Sequence, residues 1–230
     1  MNVSAVIVAA GKGIRMGHTV NKVYLPIAGK PVLYYSLKTF DEIDWIKEIV
    51  AVVSKEEIEY CKENVIKRYF FKKPVKLVEG GSERQYSVYN GIINTERNCE
   101  IITIHDGARP LIEKEVVIKA LKEAYLYKAV ALGVPVKDTI KVVDEKNFIL
   151  NTPDRKYLWA IQTPQVFERN LIIKAHQKAL EDGFLGTDDT VLVERLGYKV
   201  KVVEGDYRNI KITTPEDLIV AEAFLKNNVL

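Results

Sequence analysis

Two glycines and two cations follow the first hydrophobic run of the chain, in the segment Ala9-Ala10-Gly11-Lys12-Gly13-Ile14-Arg15-Met16-Gly17 that leads on to Lys22. Gly11 and Gly13 permit a sharp turn, and their missing side chains let backbone N–H groups approach phosphate oxygens. Arg15 can fork onto those oxygens and Lys22 adds a point charge, so both would stabilise charge that develops on a phosphoryl group. The segment predicts a site for a nucleoside triphosphate. The alternative is a glycine-rich turn that only connects a strand to a helix.

Two common glycine-rich loops do not fit this segment. A dinucleotide fingerprint needs G-x-G-x-x-G and an acidic residue at the end of the second strand. Here the third glycine falls one place late, and the second predicted strand, at 49–53, runs into Ser54. A P-loop needs Ser or Thr after Gly-Lys, but Gly29-Lys30 is followed by Pro31. The triphosphate prediction therefore depends on neither motif.

A second glycine pair, Gly80-Gly81, follows another strand-like run and leads into an apparent helix that carries Arg84 and Ser87. Small residues at this point allow a flat nucleotide base to press against the backbone, and Ser87 lies about one turn into the helix, where its hydroxyl can meet the base. The segment is consistent with a base-binding site. It is equally consistent with turn glycines beside an arginine on the surface.

The third segment, His105-Asp106-Gly107-Ala108-Arg109-Pro110, follows the strand predicted at 101–104. Ligands of open α/β sheets gather at the carboxyl ends of the strands, so Asp106 is well placed for a metal, a ribose or a substrate hydroxyl. A hydrolase triad built on His105 and Asp106 is disfavoured. Adjacent strand residues point to opposite faces, and the chain has no G-x-S-x-G elbow.

The elements that must position these segments alternate between strand and helix along the chain, which favours parallel strands joined by helical crossovers. The predicted strands are 3–8, 49–53, 75–78, 101–104, 129–134 and 199–203, and the predicted helices are 31–40, 56–69, 83–94, 115–127, 170–180 and 215–225. We expect an α/β fold, a single Rossmann-like domain over residues 1–230 with a mostly parallel central sheet flanked by helices.

One stretch breaks the alternation. Residues 137–143 and 148–152 are strand-like and surround a polar turn, Asp144-Glu145-Lys146-Asn147, which predicts a β-hairpin. An isolated two-stranded hairpin is marginally stable in water, so this one should rest on something. That support is either its own domain or a second subunit.

Composition narrows the class of protein. With 47% hydrophobic residues in 230, the chain can bury a large core. A net charge of +3 with dispersed lysines gives no reason to expect nucleic acid as a partner. No apolar stretch approaches the roughly 20 residues needed to cross a bilayer, and the N-terminus enters a strand without a signal-peptide pattern. Cys61 and Cys99 have neither disulfide nor zinc spacing. We expect a cytoplasmic protein that binds neither membrane nor nucleic acid.

Taken in order, these segments resemble the 2-C-methyl-D-erythritol 4-phosphate cytidylyltransferases of the non-mevalonate isoprenoid pathway, within the sugar-nucleotide pyrophosphorylase-like nucleotidyltransferases. The resemblance spans nearly the whole chain. It rests on the three segments above together with Lys22-x-Tyr24-Leu25, Asp138-Thr139, Asp154-Arg155, Thr163-Pro164-Gln165, Thr187-Asp188 and Asn209-Ile210-Lys211. Val23 stands where these enzymes often carry glutamine, and Tyr86 where they often carry aspartate.

The resemblance implies transfer of CMP from CTP to 2-C-methyl-D-erythritol 4-phosphate, with release of pyrophosphate. It implies Arg15 and Lys22 as catalytic residues, and Mg²⁺ as the cofactor at Asp106. The implied substrate-positioning residues are Arg155, Lys211, Arg109, Thr139, Thr163 and Thr187. The implied nucleotide-binding residues are Ala9, Ala10, Gly11, Gly13, Gly80, Gly81, Arg84, Ser87, Asp106 and Gly107.

The resemblance also implies a homodimer. The hairpin would form a dimerisation arm at about 136–157 that reaches over the neighbouring subunit and places Arg155 near the partner's site. Two other functions stay open. One is a cytidylyltransferase for another polyol phosphate, ribitol 5-phosphate, and the other is a non-catalytic sensor that binds CTP on the same fold.

Overall fold

The computed structural model describes residues 1–11 and 21–226, so Gly13 and Arg15 lie outside the described residues. Within the described part, seven strands form one sheet: β1 (Val3–Val8), β4 (Ile46–Val53), β5 (Val75–Glu79), β6 (Ile101–Asp106), β7 (Ala129–Pro135), β10 (Trp159–Glu168) and β11 (Lys201–Glu204). Their order in the sheet is β11-β7-β10-β6-β1-β4-β5. All neighbours pair in parallel except β10, which is antiparallel to both β6 and β7. The predicted α/β fold with a mostly parallel sheet is confirmed.

Helices cover both faces of this sheet. They are α1 (Val32–Asp41), α2 (Ile58–Cys61), α3 (Arg84–Ile93), α4 (Lys114–Tyr127), α5 (Arg169–Glu181), α6 (Asp189–Arg195) and α7 (Pro215–Lys226). The helix predicted at 56–69 is irregular, because a 3₁₀ turn precedes α2 and a π-helical segment, Lys62–Ile66, follows it. Two small two-stranded sheets pair β2 (Pro26–Ile27) with β3 (Lys30–Pro31) and β8 (Val142–Val143) with β9 (Ile149–Asn151).

The core has two layers because successive strand residues point to opposite faces. In β4, Ile49 and Ala51 pack on one side of the sheet with residues of α1, α2 and α4. Val50 and Val52 pack on the other side with residues of α3, α5 and α6. Both faces are buried, which explains why the strands appear in the sequence as continuous apolar runs.

The sequence patterns missed β10, α6 and the two short strands β2 and β3. Pro164 lies inside β10, and a proline within a run argues against a strand because it cannot donate to the ladder. In the structure the pairing of β10 with β7 is irregular between Ile161 and Gln165, so the proline lies at a break in the ladder. Helix α6 is short, and its start depends on Asp188, whose carboxylate accepts from the backbone N–H of Val191.

Candidate active site

The three predicted segments follow β1, β5 and β6 and meet at one edge of the sheet, where β4 lies between β1 and β5. Backbone hydrogen bonds hold them side by side. The N–H of Ala9 donates to Val52 at 2.7 Å, that of Gly107 to Val8 at 2.8 Å, and that of Gly80 to Val53 at 2.8 Å. The parallel sheet therefore brings together segments that are far apart in the sequence.

Gly80 and Gly81 have no room for a side chain, because the second segment packs closely on Ala10 of the first segment and on Tyr86 of α3. A Cβ atom on Gly80 would lie 2.3 Å from the Cβ of Ala10, and one on Gly81 would lie 2.4 Å from the Cβ of Tyr86. Ser87 fixes the same turn, since its hydroxyl accepts from the N–H of Gly81 at 3.0 Å and donates to the carbonyl of Glu83 at 3.0 Å. The start of α3 is thereby held against the end of β1.

A cleft of about 520 Å³ lies at this edge, within the size range of small-molecule sites. Nine of the predicted site residues line it: Ala9, Ala10, Gly11, Lys22, Gly81, Arg84, Ser87, Asp106 and Lys211. A smaller cavity of about 380 Å³ lies between α1 and residues 110–115, and its described lining contains none of the predicted site residues. Sequence and geometry therefore point to the same cleft.

Asp106 lies at the centre of the charge pattern in this cleft. Arg84 Nε is 3.2 Å from its Oδ1, Lys211 Nζ is 2.7 Å from its Oδ2, and Arg109 Nε is 3.9 Å from the same oxygen. Burial raises the pKa of the Asp106 carboxyl, but these three cations outweigh it and hold that pKa well below its usual value. Asp106 and Asp189, the second carboxylate that pairs with Arg84, leave these three cations with one surplus positive charge, which favours an anionic ligand.

Lys211 reaches Asp106 because the segment that precedes α7 is tied to the end of β6. The N–H of Ile212 donates to the carbonyl of Ala108 at 2.8 Å, and Arg109 Nη1 donates to the carbonyl of Asn209 at 2.7 Å. The fully buried side-chain amide of Asn209 donates in turn to the carbonyl of Thr163 at 2.8 Å. Arg109, a predicted substrate-positioning residue, thus braces this segment in the structure and does not line the cleft.

Thr163 and His105 form a buried hydrogen-bonded pair next to Asp106. The N–H of Asp106 donates to Thr163 Oγ1 at 3.1 Å, and that hydroxyl lies 3.0 Å from His105 Nδ1. Burial lowers the pKa of His105 to about 4, so the ring is neutral at pH 7. Its Nε2 must carry the proton because it lies 3.1 Å from the carbonyl of Arg109, which can only accept. Nδ1 therefore accepts from Thr163, whose hydroxyl points into the protein.

Lys22 begins a 3₁₀ turn, Lys22–Tyr24, at the rim of the cleft. Asn21 anchors this turn, since its Oδ1 accepts from the N–H of Val23 and its Nδ2 donates to the carbonyl of Ala9 at 3.2 Å and to Glu57 Oε2 at 3.1 Å. The sequence patterns did not indicate Asn21. An Asx residue before a short helix was the available signal.

Like Arg109 and Thr163, three further predicted substrate-positioning residues lie apart from the described lining of the cleft. Thr139, Thr187 and Arg155 are exposed. Arg155 lies at the base of the hairpin, where its Nη1 donates to the carbonyl of Lys137 at 2.6 Å. Within one chain, these residues do not join Asp106 and Lys211, so their roles stay predictions.

A mostly parallel sheet with a glycine-lined, cation-rich cleft at its carboxyl edge defines the class as an α/β protein with a site for an anionic ligand. The model of the family described as "2-C-methyl-D-erythritol 4-phosphate cytidylyltransferase" matches residues 3–227. A relative of that name from Caldanaerobacter subterraneus subsp. tengcongensis is 72% identical over 226 residues, which are 98% of this chain and 100% of the relative. The chain belongs to the 2-C-methyl-D-erythritol 4-phosphate cytidylyltransferase family and is a cytidylyltransferase enzyme.

Solved structures agree with this family. The 4-diphosphocytidyl-2C-methyl-D-erythritol synthase of Anaerococcus prevotii superimposes with a TM-score of 0.87 at 36% identity, over 98% of this chain and 96% of that one. The 2-C-methyl-D-erythritol 4-phosphate cytidylyltransferase of Thermus thermophilus gives a TM-score of 0.80 at 29% identity, over 98% of this chain and 100% of that one. The similarity thus covers the whole fold.

Proposed function

We propose that the chain transfers CMP from CTP to the phosphate of 2-C-methyl-D-erythritol 4-phosphate, in the non-mevalonate isoprenoid pathway. The observation that carries this proposal is the cleft in which the glycine loops, Asp106, Lys22 and Lys211 converge. An oxygen of the acceptor phosphate bonds to the α-phosphorus of CTP. The bond from that phosphorus to the oxygen bridging to the β-phosphorus breaks, and pyrophosphate leaves with the electron pair.

On the side of the cleft that we propose for the nucleotide, backbone segments pack closely together. We place the base against Gly80 and Gly81 near Ser87, where a side chain on either glycine would collide with its neighbour. Residues of the first segment, including Ala9, Ala10, Gly11 and Gly13, would take the phosphates, with Arg84, Asp106 and Gly107 completing the nucleotide site. Gly107 supports this placement, because the hydrogen bond from its N–H to the carbonyl of Val8 holds the third segment beside the first.

No general base is needed, because the acceptor phosphate is already an anionic nucleophile at neutral pH. The enzyme must instead hold two anions in line while they repel each other. Lys22 and Arg15 would stabilise the charge that develops around the α-phosphorus. Lys211 and Arg155 would orient the attacking phosphate, helped by Thr139 and Thr187. The position of Lys22 and Lys211 in one cleft supports this division of roles.

We propose Mg²⁺ as the cofactor. Among the described residues no cluster of three or more His, Cys, Asp or Glu side chains is placed to hold a metal. Mg²⁺ commonly binds through one or two carboxylates together with waters and substrate phosphates. The single buried carboxylate of Asp106 in a triphosphate-sized cleft fits that mode of binding. When bound, the ion would neutralise part of the triphosphate charge.

A homodimer is part of the proposal. The hairpin of β8 and β9 carries apolar side chains on its surface, with Phe148 68%, Ile149 63% and Leu150 62% exposed. Contiguous exposed apolar side chains of this kind are typical of an interface. A second copy of the chain that covers them would bring Arg155 from one subunit towards the cleft of the other.

We also propose a cytoplasmic location. The support is that Cys61 and Cys99 are both free and buried, which suits a reducing compartment. Separately, none of the helices within residues 1–11 and 21–226 has the length and apolar character needed to cross a membrane.

The acceptor is tested by comparing two polyol phosphates. Pyrophosphate release from CTP is measured at steady state with 2-C-methyl-D-erythritol 4-phosphate and, separately, with ribitol 5-phosphate. We expect a large preference in kcat/KM for the first. A preference for ribitol 5-phosphate would overturn the acceptor, and tight CTP binding without turnover of either would favour a sensor.

A further inference from the structure

Arg84 lies between two carboxylates, only one of which belongs to the cleft. Its Nε faces Asp106 Oδ1, and its Nη1 lies 2.9 Å from Asp189 Oδ2. Asp189 is the first residue of α6, is 1% exposed and does not line the cleft. The sequence patterns had singled out its neighbours Thr187 and Asp188, and had given Asp189 no role.

Asp189 is held from three sides. Its N–H donates to Gln165 Oε1 of β10 at 3.1 Å, and its Oδ1 lies 3.3 Å from Nε2 of the fully buried His176 of α5. The His176 ring stacks on Tyr89 of α3 with centroids 5.8 Å apart. Burial raises the pKa of the Asp189 carboxyl, but Arg84 and His176 outweigh it, so the pKa lies below its usual value and the group stays ionised. A fixed, buried anion thus lies behind Arg84.

The two oxygens of Asp106 are both engaged by cations, Oδ1 by Arg84 and Oδ2 by Lys211. A ligand of Asp106, whether a ribose hydroxyl or a divalent ion carried by the nucleotide, must therefore share one of these oxygens. Arg84 then depends on its other carboxylate to keep its place. Arginine suits this position because the donors of its rigid planar fork are far enough apart to reach two separate carboxylates, whereas the lysine ammonium is a compact point charge on a flexible stem.

We propose that Asp189 is a positioning residue for the nucleotide, which acts by holding the guanidinium of Arg84 at the cleft while Asp106 engages the ligand. This inference rests on the proposed function, since it takes CTP as the nucleotide. Asp189 is buried and does not line the cleft. Its effect therefore passes entirely through Arg84.

The test is a binding measurement on the full-length protein. Titration calorimetry with CTP, without acceptor, is done for wild type, Asp189→Asn, Arg84→Ala and the double variant. We expect Asp189→Asn to weaken CTP binding about tenfold, as for loss of a hydrogen bond between charged groups. The KM for the polyol phosphate should change less than about twofold. In the Arg84→Ala background, Asp189→Asn should change CTP affinity by less than about twofold, because the residue through which it acts is already absent.

Asp188→Asn is the matched control, with the same chemical change one residue earlier. Asp188 caps α6 by accepting from the N–H of Val191 at 3.1 Å and also accepts from Gln165 Nε2 at 2.8 Å, so its variant should lower the melting temperature. Because the variant leaves the ion pair of Asp189 with Arg84 in place, CTP affinity should change by less than about twofold. Arg84→Lys provides a second line should Asp189→Asn fold poorly. It keeps the charge, loses the two-way fork, and should weaken CTP binding to a similar extent.

Wild-type affinity in Asp189→Asn, or an equal loss of affinity with and without Arg84, would overturn the inference. A loss that Asp188→Asn matches would do the same, because it would point to the stability of α6. These outcomes differ from failure of the proposed function. In that case the wild-type protein itself would not bind CTP.

Discussion

Asp106 is a buried carboxylate with three cationic neighbours. Burying a charge is costly unless it is paired, and Asp106 and Asp189 together compensate two of these three cations. The remaining positive charge favours an anionic ligand. Arg84 and Lys211 therefore serve both the fold, by compensating Asp106, and the proposed triphosphate site, whereas Arg109 compensates Asp106 and braces the segment before α7.

At the scale of residues, the sequence predicted the members of the site better than their contacts. The position of Asp106 followed from one rule about strand ends. The 2.7 Å contact of Lys211 Nζ with the Asp106 carboxylate could not be predicted in this way, because it depends on hydrogen bonds from Ile212 and Asn209 to elements that are distant in the sequence. The sequence also does not show which way a threonine hydroxyl points. Thr163, whose hydroxyl points into the protein, is an example.

Thr163→Val tests whether that hydroxyl supports the fold or contacts the substrate. The change leaves the N–H of Asp106 and Nδ1 of His105 without their partner, and a buried unsatisfied polar group costs about 1–3 kcal/mol. We expect the free energy of unfolding in urea to fall by about that amount, kcat to fall because Asp106 is less well held, and the KM for the acceptor to stay within about twofold.

Thr103→Val is the control for this variant. Thr103 is fully buried on β6, the neighbouring strand that carries His105 and Asp106, and its hydroxyl has no hydrogen-bond partner among the described residues. Valine there should be neutral or stabilising, because it removes an unsatisfied group without changing shape. If Thr163→Val instead kept wild-type stability and raised only the KM for the acceptor, Thr163 would contact the substrate directly.

At the scale of elements, the parallel strands were predictable because both of their faces are buried. Their apolar runs are continuous, and the helices between them are amphipathic. Strand β10 could not be found in this way, since Gln162, Thr163 and Gln165 interrupt its apolar pattern. Those same polar side chains hold Asn209, the N–H of Asp106, and the start of α6. The strand was missed because its residues serve the site.

The close packing of helix α3 on the sheet can be tested by a substitution at Gly91. Gly91 faces β1 and β4, and a Cβ there would lie 2.4 Å from Val6 Cγ1 and 2.8 Å from Val52 Cγ2. Alanine in a helix is normally better than glycine by about 0.5–1 kcal/mol, whereas overpacking a core costs about 1–3 kcal/mol. Both valines are fully buried, so overpacking should dominate. We expect Gly91→Ala to lower the free energy of unfolding by about 1–2 kcal/mol.

Asn90→Ala is the matched change at the preceding position of α3, where the side chain only reaches the carbonyl of Glu79 at the surface. Its effect should stay within about 0.5 kcal/mol. Since α3 also carries Arg84 and Ser87, Gly91→Ala should raise the KM for CTP. A Gly91→Ala protein as stable as wild type would mean that α3 can shift outward freely.

At the scale of the whole molecule, the hairpin carries three successive large apolar side chains that are exposed in the single chain. Its base is well anchored, since Val136 donates to Leu158 at 3.0 Å and Tyr207 donates to the carbonyl of Pro135 at 2.7 Å. Its tip carries Phe148, Ile149 and Leu150 in solvent. An arm with an anchored base and an exposed apolar tip is better suited to contact a second subunit than to fold back on its own chain. Each active site would then contain residues from both subunits.

A complementation experiment decides whether Arg155 acts across that interface. Lys22→Ala and Arg155→Ala should each lower kcat by roughly 10² or more, as when one preset donor to a developing charge is removed. When the two variants exchange subunits, each heterodimer has one site with both changes and one with neither. Random pairing makes half of the dimers mixed, so activity should recover towards about a quarter of wild type.

The control for this recovery is a mixture of Arg155→Ala with Arg155→Ala/Lys22→Ala, in which every site lacks Arg155 whether it acts in cis or in trans. Exchange itself is followed by mass spectrometry on one isotopically labelled partner. Recovery with the single variants and none with the control would establish a site shared between subunits. If the exchanged mixture of single variants stayed as inactive as its parents, Arg155 would act on the cleft of its own chain, and the apolar tip of the arm would have to cover some other surface.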